Sequence, residues 1–128
     1  MDKQTKGKLG EDAAVEELVR RGHRIIERNY RKSCGEIDII SEINGFIVFT
    51  EVKTRKLNSI VSGLEAVDTR KRSRIIRTAD CYLNEYITQL QPRYDIAEVM
   101  VSRGESVRVL RIDIYEDAFD TEGIYTIN

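Results

Sequence analysis

Apolar residues recur along this chain with two rhythms, and each change of rhythm marks a new element. From Thr5 to Arg21 the spacing is helical, with Gly7, Glu11, Ala14, Val15 and Leu18 on one stripe and Gly22 as the stop. His23 to Tyr30 is expected as a strand whose core contribution is Ile25 and Ile26. Two runs rich in Ile, Val and Phe follow, Ile37 to Ile43 and Phe46 to Val52, on either side of Asn44-Gly45. A two-residue type I′ turn needs positive φ at both positions, and Asn-Gly meets that need at least cost. Helical spacing returns from Asp68 to Tyr86, with Asp68 as N-cap and Ile75, Ile76, Ala79, Leu83 and Tyr86 as the apolar stripe. Beyond Gln91-Pro92, Arg93 to Val101 and Ser106 to Ile114 read as strands around a turn at Ser102 to Glu105, the second with arginines alternating along a wet face. Tyr115 to Asn128 is expected as a tail, with Ala118-Phe119 docking as a short turn. The order α-β-β-β-α-β-β predicts an α/β domain over 1–128 with a mixed five-stranded sheet: an antiparallel hairpin, then a right-handed crossover through the second helix.

The Asn44-Gly45 turn also fixes a register. Ile43 faces Phe46, Ile40 faces Phe49, Asp38 faces Glu51 and Glu36 faces Lys53. Directly paired residues share a face, so Glu36, Asp38, Glu51 and Lys53 are expected together at the end far from the turn. Asp38 and Glu51 would have Cβ atoms roughly 4.5–5.5 Å apart. Two carboxylates so placed repel each other unless a divalent cation lies between them. Mg²⁺ takes oxygen ligands at about 2.1 Å and is commonly held by one or two carboxylates together with water and phosphate. Lys53, on the same face, then reaches a phosphate oxygen or an attacking water, an arrangement suited to metal-assisted phosphodiester hydrolysis. Against this stands the plainer reading of Glu-x-Lys as a solvated strand face with a weak surface ion pair. Ile40 and Phe49 on the same face argue for partial burial, where unpaired charge is expensive.

Composition narrows the choices. The chain has 128 residues, 41% hydrophobic and 34% charged, enough apolar content for one core. A formal net charge of −1 argues against a strongly basic nucleic-acid coat but leaves room for a locally basic face. No apolar run is long enough to span a bilayer and no signal segment follows Met1, so a cytoplasmic location is expected. Cys34 and Cys81 form no C-x-x-C pair and are expected as reduced, structural thiols. His23 is the only histidine, which excludes a multi-histidine zinc site and leaves carboxylates, lysine and a hard metal as the hydrolytic equipment.

An Asp on one strand followed by Glu-x-Lys on the next resembles the PD-(D/E)xK nuclease pattern. The wording is more specific than that: Gly35-Glu36-Ile37-Asp38-Ile39-Ile40 and Glu51-Val52-Lys53-Thr54-Arg55, with Gly10-Glu11-Asp12-Ala13-Ala14 upstream and Arg93-Tyr94-Asp95 downstream. Over nearly the whole chain these segments resemble the YraN family of bacterial proteins, which is similar to archaeal Holliday-junction resolvases. The resemblance implies a restriction-endonuclease-like core. It also implies a Mg²⁺- or Mn²⁺-dependent DNA endonuclease acting as a homodimer on branched DNA and leaving 5′ phosphates. Asp38 and Glu51 would hold the metal, with the Val52 carbonyl and Glu11 completing the shell and Lys53 serving the water or the transition state. A glutamate of the family's first helix points into the metal site, and Glu11 matches it; its place on the apolar stripe is an independent reason to expect it inward.

Other residues are assigned by position. Thr54 to Gly63 leaves the active edge as a charged loop, so Arg55 and Lys56 are candidates for substrate contact, as is Arg72, which projects among apolar residues near the start of the second helix. Arg70, Arg74 and Arg77, with Lys71 nearby, are expected on that helix's solvated face. Arg28, Arg31 and Lys32 form a short basic loop that is either solvated or in contact with phosphate. Arg93 and Asp95 are expected to give structural support. The rival to a nuclease is a non-catalytic nucleic-acid-binding or protein-interaction module on the same fold.

Overall fold

The computed structural model describes residues 3–58 and 67–121, with side chains from Gly7 onward. Helix α1 (Lys3–Arg20) leads into β1 (Arg24–Lys32), β2 (Gly35–Ile43) and β3 (Phe46–Lys56); α2 (Thr69–Glu85) then precedes β4 (Gln91–Val101) and β5 (Val109–Phe119). The five strands form one sheet in the order β1-β2-β3-β4-β5. All neighbours are antiparallel except β3 and β4, which run parallel, as a crossover through α2 requires. The predicted α/β class and the element order therefore hold.

Local chemistry explains the boundaries. Gly22 ends α1 with φ of 103°, and Asn44 and Gly45 turn the β2–β3 hairpin with φ of 49° and 85°. The Asp68 side chain caps α2 by accepting from the Lys71 N–H at 3.0 Å. Each helix covers one face of the sheet. Ala14 and Leu18 of α1 pack with Ile39, Ala97, Val99 and Val101. Ile75, Ile76, Ala79 and Tyr82 of α2 pack with Ile40, Phe49, Tyr94 and Ile96. Gly10 lets α1 lie against β3, since a Cβ there would stand 1.9 Å from Thr54 Oγ1.

Several expectations need correction. The expected tail from Tyr115 is strand as far as Phe119, whose buried ring stacks on Tyr94 at 5.4 Å. Two extra β5 residues between the pairs Tyr94↔Phe119 and Ile96↔Tyr115 form a bulge, so the simple alternation read from Ser106 to Ile114 could not be extended across it. Arg28, Arg31 and Lys32 belong to β1 rather than to a loop, and Gln91-Pro92 opens β4. Tyr86 is half exposed at the end of α2, although its ring lies 4.8 Å from that of Tyr82. Of the expected loop, Thr54 to Lys56 is strand, and 59–66 lies outside the described residues.

Candidate functional site

The β2–β3 ladder follows the predicted register from Ile43↔Phe46 through Ile40↔Phe49 to Ile39↔Thr50. There the ladder ends, and the direct Asp38↔Glu51 and Glu36↔Lys53 pairings are not part of it. The Val52 N–H turns to the Asp38 side chain instead, donating to Oδ2 at 2.8 Å. The cause lies in both strands. Ile37 and Ile39 are two residues apart, yet they pack in the α2-side and α1-side cores respectively. Alternation breaks between them, and across the β1–β2 pair Asn29 adopts φ of 53° at the same level. Asp38 thus sits at the seam between the two faces of the sheet.

Two adjoining cavities of about 750 and 810 Å³ open at this seam and share Asp38, Val52, Lys53, Glu36 and Arg31 among their walls. The first continues toward α2 through Glu51, Lys71 and Arg74. The second continues toward α1 through Glu11, Arg28 and Asn29. Asp38 and Glu51 are not directly opposed as the hairpin register expected, but both line the first cavity, close enough for a shared hydrogen bond and for charge to act between them. Burial first, then that hydrogen bond and the charge of Glu51, push the Asp38 carboxyl up to about 9. At neutral pH the Asp38 carboxyl therefore keeps its proton.

Lysines balance what charge remains. Lys71 Nζ lies 3.0 Å from Glu51 Oε2. Burial and the neighbouring Lys71 lower the pKa of Lys53. Burial works against the charge of Lys71 too, but Lys53 and Glu51 together hold its pKa raised. The expectation that Lys71 belongs to the solvated face of α2 is thus overturned. It stands four residues before Ile75, which places it at the head of the buried stripe, and that spacing was the available signal.

Of the remaining candidates, Glu11 reaches the second cavity with its carboxylate held by Arg28 at 3.1 Å and Asn29 at 2.8 Å. Among the described residues no three His, Cys, Asp or Glu side chains converge closely enough to hold a metal by themselves. The nearest approach to a ligand set is the Asp38–Glu51 pair, with Glu11 across the second cavity. Two hard carboxyl groups side by side are a donor set that a Mg²⁺-type cation accepts, since such ions complete their shell with water. Glu36 is paired outward with Arg31 at 2.9 Å. Arg55, Lys56 and Arg72 line neither cavity. Arg55 Nε lies 3.1 Å from the buried Glu98 carboxylate, and Lys56 is exposed at the end of β3. Arg72 donates to the Val67 carbonyl at 2.7 Å and lies over the Phe119 ring.

Elsewhere the polar residues build structure. His23 is buried, bonded through Nδ1 to Ser41 Oγ at 2.8 Å, and burial lowers its pKa. Arg93 grips both oxygens of the fully buried Asp95, at 3.0 and 2.8 Å. Asp95 also accepts the Asp117 N–H at 2.9 Å, which pins the β5 bulge. The structural role expected of Arg93 and Asp95 holds. No described helix is long and apolar enough to cross a membrane.

The site segments coincide with the part of the chain that is similar to known proteins. A UPF0102 protein of Caldanaerobacter subterraneus subsp. tengcongensis is 41% identical over 105 residues, covering 80% of this chain and 84% of that one. One from Moorella thermoacetica is 39% identical over 120 residues, 93% of this chain and 98% of that one. One from Persephonella marina is 46% identical over 96 residues, 74% and 83% of the two chains. Residues 10–99, which carry Glu11, Asp38, Glu51, Lys53 and Lys71, match the profile of the uncharacterised protein family UPF0102, the YraN family, and the chain belongs to it.

Proposed function

We propose that this chain is a divalent-metal-dependent nuclease that hydrolyses DNA phosphodiesters on a restriction-endonuclease-like core. The observation that carries the reading is the Asp38–Glu51 pair, bordered by Lys53 and Lys71 in an open cavity. A carboxyl held to about 9 is costly to a fold, and a divalent cation in place of the Asp38 proton removes that cost. Asp38 and Glu51 would hold Mg²⁺ or Mn²⁺, with the Val52 carbonyl and Glu11 nearby. When bound, the ion supplies an acidified water and neutralises charge developing on phosphorus.

The chain's own groups do the rest. Lys53 orients the attacking water or stabilises the charged transition state, and its lowered pKa suits it to take a proton. Lys71 and Arg74 from α2 and Arg31 and Lys32 from β1 line the cavity and fit a polyanion despite the net charge of −1. Branched DNA as the substrate and a pair of copies acting together rest on the family resemblance.

One observation favours the rival, a non-catalytic nucleic-acid-binding module: Lys71 already neutralises Glu51. Calorimetry with Mn²⁺ separates the two. Binding that is lost in Asp38→Asn, with cleavage of linear, single-stranded or four-way DNA that is lost in Asp38→Ala and in Lys53→Ala, supports the nuclease. DNA binding that ignores the metal, with no cleavage, supports the module.

A further inference from the structure

The β1–β2 connection is only Ser33-Cys34, and it is pressed against α2. Thr78 Oγ1 lies 3.3 Å from the Cys34 carbonyl, and a Cβ on Gly35 would stand 2.6 Å from the same hydroxyl oxygen. One helical turn on from Thr78, Cys81 brings its sulfur 2.7 Å from Cys34 Sγ. Both cysteines are free thiols and only partly buried. A separate shallow cavity of about 440 Å³, edged by Tyr30, Lys32 and Glu85, opens onto both. The strand, turn and helix that hold the sulfurs are fixed by packing that does not involve them. Tyr30 and Ile37, on either side of the turn, pack in the same core as Ile75 and Ala79 of α2.

We propose that Cys34 and Cys81 are a redox modification site, forming an intramolecular disulfide by exchange with a low-molecular-weight disulfide. In the first step the Cys34 thiolate attacks one sulfur of the small disulfide. The mixed disulfide forms on Cys34 and one small thiolate departs. In the second, the Cys81 thiolate attacks the Cys34 sulfur and the second small thiolate departs. The protein loses two electrons and two protons, and the small disulfide gains them as two thiols. Attack by Cys81 first, with Cys34 resolving the mixed disulfide, gives the same product. No segment has to move far, since the sulfurs already touch.

The cross-link would tie together two walls of the candidate site. Lys32, Gly35 and Glu36 flank Cys34 on one side, and Lys71 and Arg74 lie upstream of Cys81 on α2; all five line the α2-side cavity of the candidate site. The site is independent of whether that cavity cleaves DNA.

The test uses the purified full chain titrated with oxidised glutathione and read by intact mass and thiol counting. The expected product is a monomer lighter by two hydrogens, with both thiols lost together and recovered by a reductant. Its melting temperature should be higher than that of the reduced chain, because the link constrains the unfolded state. In Cys34→Ser and in Cys81→Ser the remaining cysteine, with no second thiol beside it, should keep glutathione as a stable adduct. Stable glutathione adducts on the wild type, disulfide-linked dimers, no reaction, or a lower melting temperature on oxidation would each overturn the proposal. Mass and thiol counts on the wild type decide the matter even where a serine variant fails to fold.

Discussion

Two aspartates in this molecule, Asp95 fully buried and Asp38 partly so, have opposite surroundings. Asp95, in β4, is enclosed by donors: both oxygens meet Arg93, and one also accepts the Asp117 N–H. Asp38, in β2, has one backbone donor and, against it, a second carboxylate. A buried carboxylate with matched donors is part of the framework. One placed against another carboxylate is a cost that the framework alone does not explain, and such costs concentrate where a protein binds or reacts. The β4–β5 side is therefore read as scaffold and the open end of the hairpin as the site.

The largest effect should come from emptying the scaffold. Asp95→Ala leaves the Arg93 charge and the Asp117 N–H without their partner in the interior, and should cost about 3–5 kcal/mol in urea unfolding. A loss under about 1 kcal/mol would place Asp95 among ordinary polar residues and dissolve the contrast. Next in size is Gly10→Ala, which drives a methyl into Thr54 and should cost about 1–3 kcal/mol. The double change with Thr54→Ala should recover most of that loss if close packing of α1 on β3 is the cause.

At Asp38 the sign reverses. The folded carboxyl titrates at about 9 and the unfolded one at about 3.9, so between those values the folded chain binds more protons. Metal-free stability should be full below about pH 3.9 as far as this group is concerned, and should fall as pH rises toward about 9. Asp38→Asn keeps an oxygen for the Val52 N–H and removes the charge. It should melt a few degrees above the wild type at pH 8 and lose this part of the pH dependence. Added Mn²⁺ should raise the melting temperature of the wild type but not of this variant. A variant less stable than the wild type at pH 8 would mean that the carboxylate is as well satisfied as Asp95. The smallest effect belongs to Glu36→Gln at the exposed Arg31 pair, expected to change stability by less than about 0.5 kcal/mol in the same unfolding assay.

Much of this contrast could be read without coordinates, and the parts that could not share a cause. The Asn44-Gly45 turn determined the pairing from Ile43↔Phe46 to Ile39↔Thr50, because turn geometry and apolar alternation agree there. Beyond Thr50 the apolar pattern stops, and the position of Asp38 depends on Asn29 in another strand and on the Val52 N–H. The charge of Lys71 suggests the solvated face, although its spacing from Ile75 points inward. Arg55 and Arg72 carry the right charge for phosphate contact, but Glu98, Val67 and Phe119, all distant in sequence or set by the path of the chain, hold them elsewhere.

The sequence by itself determined the element order and the hairpin register as far as Ile39 and Thr50. These follow from local rules: backbone φ at the turn, period two in strands and period 3.6 in helices. Only the tertiary structure decided which charges face the cavity, that Lys71 pairs with Glu51, that β5 continues past its bulge to Phe119, and that Cys34 and Cys81 touch. Each of these depends on segments that lie far apart in the chain, and no local periodicity records the contact.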